Sequence, residues 1–100
     1  MNWYTGIGRL GSDPERKELA TSTVVNFSIA VPEGKDKDPN WVECYGWNEE
    51  ADQINNTFKK GDLIMVGGPI KENVFMRGDT KVSKLKINVQ KWWFVPRNTK

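Results

Sequence analysis

The sequence predicts an all-β chain interrupted by one helix, and three observations carry that prediction. Apolar and polar residues alternate over several short segments, the period of a half-buried strand. Helix start and stop signals cluster in one place only, after residue 47. Glycines fall inside or between the alternating runs, where strands bend or bulge.

Trp3 to Leu10 is the first predicted strand, with Gly6 and Gly8 marking a bend. Gly11-Ser12-Asp13-Pro14 is a turn, and a short strand starts near Arg16. Thr23 to Val31 is the clearest strand: Val25, Phe27, Ile29 and Val31 alternate with Val24, Asn26, Ser28 and Ala30. Pro32 to Asn40 is a polar, charged loop, and Trp41 to Trp47 is the next strand. Asn48 suits a helix N-cap, with Glu49 and Glu50 in the first turn. Ala51, Ile54 and Phe58 form an apolar stripe at helical spacing, Lys59 and Lys60 suit the last turn, and Gly61 suits the C-terminal cap. Leu63 to Val66 begins a strand that continues through Gly67-Gly68-Pro69 to Val74 or Phe75. Arg77-Gly78-Asp79-Thr80 is a hairpin tip. Lys81 to Val89 returns, with Leu85, Ile87 and Val89 inward and Lys84, Lys86 and Asn88 outward. Trp92 to Val95 is an apolar terminus that Pro96 ends.

Apart from the short strand near Arg16, this order, three strands, a helix and two strands, is that of an OB-fold, a five-stranded Greek-key barrel with one helix between the third and fourth strands. The helix would cap the open end of the barrel. A β-sandwich is the alternative, although it usually has more strands and no such helix. One hundred residues suffice for one core. The expected division is a single domain over residues 1–95 and a short C-terminal tail over 96–100.

Composition excludes more than it selects. The chain has no histidine and one cysteine, Cys44, so the commonest general base and the commonest metal ligand are missing. No nucleophile–base pair or phosphate loop is present, and neither enzymatic activity, nor a metal, nor a cofactor is expected. Gly6-Ile7-Gly8-Arg9-Leu10-Gly11 fits the dinucleotide-binding pattern letter for letter. That motif must open a helix, whereas Ser12-Asp13-Pro14 makes a turn into β-structure. Apolar runs fall well short of the ~20 residues that span a bilayer. The N-terminus lacks the basic start and apolar stretch of a signal peptide. A cytoplasmic, nucleoid-associated location is expected, with no membrane partner.

The net charge of +2 is unevenly spread. Residues 1–62 carry seven Lys/Arg against eleven Asp/Glu, and residues 63–100 carry eight against two. The basic surplus of Lys71, Arg77, Lys81, Lys84, Lys86, Lys91, Arg97 and Lys100 suits an anionic polymer, unless it is merely a solvated face. Alternation puts Trp41, Glu43, Tyr45 and Trp47 on one face of their strand and Val42 and Cys44 on the other. If the cysteine face points inward, large aromatics point to water, and unpaired bases are a partner that explains them. Trp41 and Trp47 would lie about 20 Å apart at ~3.3 Å per residue, far enough to serve separate bases. Phe75 sits near the tip of the basic hairpin. The competing reading of these residues is burial in a subunit interface or under a loop; Trp3, Trp92 and Trp93 are expected to pack.

The segments Ile7-Gly8-Arg9-Leu10-Gly11-Ser12-Asp13-Pro14-Glu15, Val25 to Val31, Trp41 to Trp47 and Phe58-Lys59-Lys60-Gly61-Asp62-Leu63-Ile64, in this order, resemble the bacterial-type single-stranded DNA-binding proteins. The resemblance covers about residues 2–95. It implies base stacking by Trp41, Trp47 and Phe75, and assembly into homotetramers, or dimers, that wrap single-stranded DNA. Phosphate contacts are expected from Arg9, Lys71, Arg77, Lys84 and Lys86. The implied function is sequence-independent binding and protection of single-stranded DNA, or RNA in its place, in replication, recombination or repair. The family commonly carries a long tail with an acidic, apolar tip; this sequence ends Pro96-Arg97-Asn98-Thr99-Lys100 and is expected to be a short form without it. Glu43, between the aromatics, would repel phosphate. The second reading is an OB-fold module that docks a replication, repair or primosome protein and binds nucleic acid weakly.

Overall fold

A computed structural model describes residues 1–96. The order of elements is β1 (Tyr4–Leu10), β2 (Glu15–Glu18), β3 (Thr23–Val31), β4 (Asn40–Trp47), α1 (Asn48–Thr57), β5 (Leu63–Gly68), β6 (Ile70–Arg77), β7 (Thr80–Asn88) and β8 (Lys91–Phe94). The described residues are thus mostly β with one helix, and among them there are eight strands where five are expected. Three features raise the count. The short segment at residue 16 pairs with β3 as a strand of its own. Pro69, which has no N–H to donate, divides the long strand into β5 and β6. The apolar terminus pairs with β5 as β8. The helix therefore follows the fourth strand rather than the third.

All strands join one sheet in the order β6-β7-β4-β3-β1-β5-β8, with β2 on β3. Every pairing is antiparallel except that of β4 with β7. The parallel pair sets Glu43 beside Lys86, Cys44 beside Ile87 and Tyr45 beside Asn88. Three backbone bonds bind the end of β7 to its surroundings: Asn88 N to Pro69 O at 2.9 Å, Val89 N to Tyr45 O at 2.8 Å and Gln90 N to Gly67 O at 2.9 Å.

The core follows the period of two. Val25, Phe27 and Ile29 from β3, Cys44 from β4, Ile64 and Val66 from β5, and Ile87 and Val89 at the end of β7 form one buried cluster. Ala51, Ile54 and Phe58 close it from the helix side. Each large side chain of this set contributes about 1.5–3 kcal/mol by leaving water. Trp92 packs over the same end: its ring meets Phe58 edge-on at 5.3 Å, and its Nε1 donates to Gln53 Oε1 at 3.0 Å. Gly6 and Gly8 lie within β1, so the dinucleotide-like motif opens no helix.

Three local expectations change. Asn48 is not a cap: it adopts φ 51° and its Oδ1 accepts from the backbone N–H of Thr23 at 3.0 Å, binding the helix start to β3. The helix stops at Thr57, because Phe58 turns extended to enter the core. Lys59 and Lys60 lie beyond it, their N–H groups donating to Asp62 Oδ2 and Asp13 Oδ1, each at 2.8 Å. Leu85, expected inward, is 65% exposed. The β6–β7 hairpin runs past the core there, and Val74 and Met76 on the same face are exposed as well.

Gly68 is where β5 passes against the carbonyl of Asn88, leaving no space for a Cβ. Gly68→Ala should destabilise the protein by about 1–3 kcal/mol, the usual cost of overpacking, read as a lower urea midpoint. Burial, and secondarily the charge of Glu43, pushes the Cys44 thiol up to about 12. An unfolded cysteine titrates near ~8.5, so the stability held by the neutral thiol is complete below that pH and is lost as pH rises toward the native value. Iodoacetamide at pH 8 should modify Cys44 only on unfolding, with fast labelling of native protein the contrary result.

Candidate nucleic-acid interface

The burial of Cys44 turns the alternate residues of β4 outward. Trp41 is 60% exposed and Trp47 is 39% exposed, while Tyr45 between them is half-buried. Tyr45 and Trp47 meet edge to face with centroids 6.2 Å apart. The phenol thus braces the indole, and burial raises its pKa above the ordinary value. At the other end of the strand Trp41 lies over Gly11. A Cβ on Gly11 would come within 2.5 Å of indole Cζ3, so the missing side chain gives the ring its seat.

The neighbouring strands extend this face. Paired residues on adjacent strands point the same way. Through β3, Val24, Asn26, Ser28 and Ala30 stand beside Trp47, Tyr45, Glu43 and Trp41. Through β7, Lys86 stands beside Glu43. The β6–β7 register then places Lys71 opposite Lys86, Asn73 opposite Lys84, Phe75 opposite Val82 and Arg77 opposite Thr80. Seven of the eight residues singled out in the sequence, Trp41, Trp47, Lys71, Phe75, Arg77, Lys84 and Lys86, therefore share one continuous face. Arg9 lies at its margin, beside Ala30, with its Nη1 donating to Gly61 O at 3.1 Å.

Within the face the residues divide. Trp47, Tyr45, Lys71 and Lys86 line a groove of about 360 Å³, together with Asn26 and Asn73. A second groove of about 230 Å³ continues from it past Lys86, Glu43 and Ser28. Phe75 is half-buried and Arg77 exposed at the far end of the hairpin, away from both grooves. Lys84 Nζ is 3.2 Å from Glu43 Oε2, and both side chains are nearly half exposed. Such a pair is worth at most about 1 kcal/mol, yet it occupies an ammonium expected to be free and neutralises the carboxylate expected to repel phosphate.

Asn26, Asn73 and Ser28 enter the site without having been singled out. Their outward positions follow from alternation. Their convergence follows only from the strand order. Aromatic faces flanked by ammonium groups, with carboxamides beside them, suit flat heterocycles on an anionic chain. Among the described residues, no three His, Cys, Asp or Glu side chains gather to hold a metal, and no helix is long and apolar enough to cross a membrane.

Comparison with known proteins agrees with this chemistry. The model of the single-strand binding protein family matches residues 1–95. A protein of Synechocystis sp. named single-stranded DNA-binding protein 1 is 39% identical over 69 residues, covering 65% of this chain and 57% of the relative. A protein of the same name from Chlorobaculum tepidum is 38% identical over 76 residues, covering 68% and 47%. One from Nostoc sp. is 30% identical over 86 residues, covering 84% and 72%. The chain thus spans about half the length of the first two. With the family match running over nearly all of its length, the chain belongs to the single-strand binding protein family.

Proposed function

We propose that this protein binds and protects single-stranded DNA by base stacking and phosphate contacts, without catalysis, in replication, recombination or repair. The observation that carries this is the single face holding Trp41 and Trp47 beside Lys71 and Lys86. The names of the relatives support the nature of the ligand. Stacking on indole is sequence-tolerant and worth about 1–3 kcal/mol per base. Trp41 and Trp47 are the main stackers, with Phe75 extending the path along the hairpin. Lys71, Lys86 and Arg77 are the phosphate contacts, Lys84 joins them once released from Glu43, and Arg9 serves the far margin. Residues 1–95 act as one binding domain. Residues 97–100, with Arg97 and Lys100 of the basic surplus, lie outside the described residues.

The finer fold reading belongs with this function. We take β5 and β6 as two halves of one strand bent at Gly68-Pro69, and β2 and β8 as additions. On that reading the strands pair in a ring, β1 with β3, β3 with β4, β4 with β7, β7 with β6 and β5 with β1, which is a five-stranded OB barrel. Self-assembly into a dimer or tetramer is proposed through the opposite outer face, where Trp3, Ile7 and Trp93 are each more than a third exposed. The reading as a protein-docking module drew in part on Glu43, beside the acidic balance of residues 1–62. That residue is now paired with Lys84, which removes this part of its support.

Oligo-dT should quench the tryptophan fluorescence, and Trp47→Ala should weaken binding by about 1–3 kcal/mol while leaving the urea midpoint nearly unchanged. Unaltered fluorescence at low salt and micromolar protein would reject the proposal. Glu43→Gln should free Lys84, tighten binding and steepen the dependence of log K on log salt by about 0.7 for the one added phosphate contact. An unchanged slope would show that Lys84 stays out of the interface.

A further inference from the structure

Beyond the row of Glu72 and Leu85 the β6–β7 hairpin pairs only with itself, because β4 meets β7 no farther out than Lys86. The face opposite the basic one continues the core side of the sheet outward from buried Ile87. Leu85, Val74 and Met76 stand on it, all exposed, Met76 to 62%. A two-stranded ribbon is marginal in water unless its apolar face is packed, and apolar side chains gathered on one exposed face mark a contact surface. The charges of this face say what fits it. Glu72 lies at its base and Lys81 near its tip. Ser83 Oγ donates to Glu72 Oε2 at 2.6 Å, which keeps the carboxylate on this face. Lys81 is exposed and joins no ion pair among the described residues. Within one chain their rows are four residues apart, about 13 Å, too far for the two to pair. One charge of each sign gives an anionic chain no reason to bind here. A second hairpin, laid antiparallel and face to face on a two-fold axis at the row of Val74 and Ser83, reverses the order. Glu72 of each copy then lies diagonally across from Lys81 of the other, residue i meeting j and j meeting i. Leu85, Val74 and Met76 of both copies fill the space between two sheets about 10 Å apart.

We infer that this face of the hairpin docks the same face of a second copy bound to the same DNA strand. The inference rests on the nucleic-acid reading above and adds a contact separate from the Trp3, Ile7 and Trp93 face. Each arm supplies the second layer that the other lacks. The patch measures roughly 17 Å by 10 Å at the spacings of a sheet, well below the roughly 800 Å² per partner of a stable complex. It is therefore too small to hold two free molecules together at micromolar concentration. Two copies on one strand meet at an effective concentration in the millimolar range, and a weak contact closes there. The strand on the basic face and the neighbour on the apolar face do not compete, because alternate residues of the same two strands serve them.

The test compares oligo-dT just long enough for one assembly with oligo-dT several times as long, by fluorescence titration. Affinity per site should be about fivefold to tenfold higher on the long strand, the gain from a millimolar contact at millimolar effective concentration. Leu85→Asp should lose that gain while leaving affinity for the short strand and the urea midpoint unchanged. Glu72→Lys and Lys81→Glu should each lose it too, and the double variant should recover it. A short bis-maleimide linker should join Ser83→Cys molecules to one another on the long strand, since Cys44 is buried and silent. Thr80→Cys, on the basic face, should stay unjoined. Equal affinity per site on both strands, or no cross-link through Ser83→Cys on the long one, overturns the inference and leaves the proposed function standing. Failure to bind either strand overturns both.

Discussion

Cys44 of β4 and Ile87 of β7 lie opposite one another in the one parallel pairing of the sheet, both buried in the core. The rest of the binding face depends on this contact. It fixes which face of β4 looks outward, because side chains on a strand alternate and a slip of one residue would exchange the two faces. It also fixes the hairpin. With Ile87 inside, Lys86 must point out beside Glu43, and the antiparallel partner Lys71 must point out with it. A single apolar pair thus aligns an aromatic strand with a basic hairpin.

The electrostatics of the face follow from that alignment. The acidic two-thirds of the sequence and the basic last third meet on it, so Glu43 comes beside Lys86 in register and within 3.2 Å of Lys84. The carboxylate is therefore a local counter-ion rather than a lone repulsive charge. In solvent the pair is weak and yields readily to a phosphate. The aromatics are supported differently. Tyr45 bears on the edge of Trp47, and the missing side chain of Gly11 admits Trp41. Rings held by packing keep their faces available without an ordering cost when a ligand arrives.

Much of this was legible in the residues. Period-two alternation placed β3 and β4 within a residue of their bounds, and set Trp41 and Trp47 on the strand face opposite Cys44, which the structure buries. It failed where burial, not pattern, decides the outcome. Leu85 obeys the alternation of β7 yet is exposed, because no second layer covers the hairpin beyond the core. Asn48 has the chemistry of a cap but serves Thr23 instead, since β3 lies close enough to claim its oxygen. The strand count rose because Pro69 breaks a ladder and because the terminal apolar run found the free edge of β5.

The sequence by itself determined the β character, the position of the helix, most of the core residues, and which aromatic and basic groups share a strand face. These are local properties: side-chain direction and propensity depend on near neighbours along the chain. Only the tertiary structure decided that β7 lies parallel beside β4, that Lys84 is engaged by Glu43, and that Asn26 and Asn73 flank one groove. Those are relations between residues some forty to fifty positions apart. No period records them, because strand order is chosen by how the whole apolar surface can be buried at once.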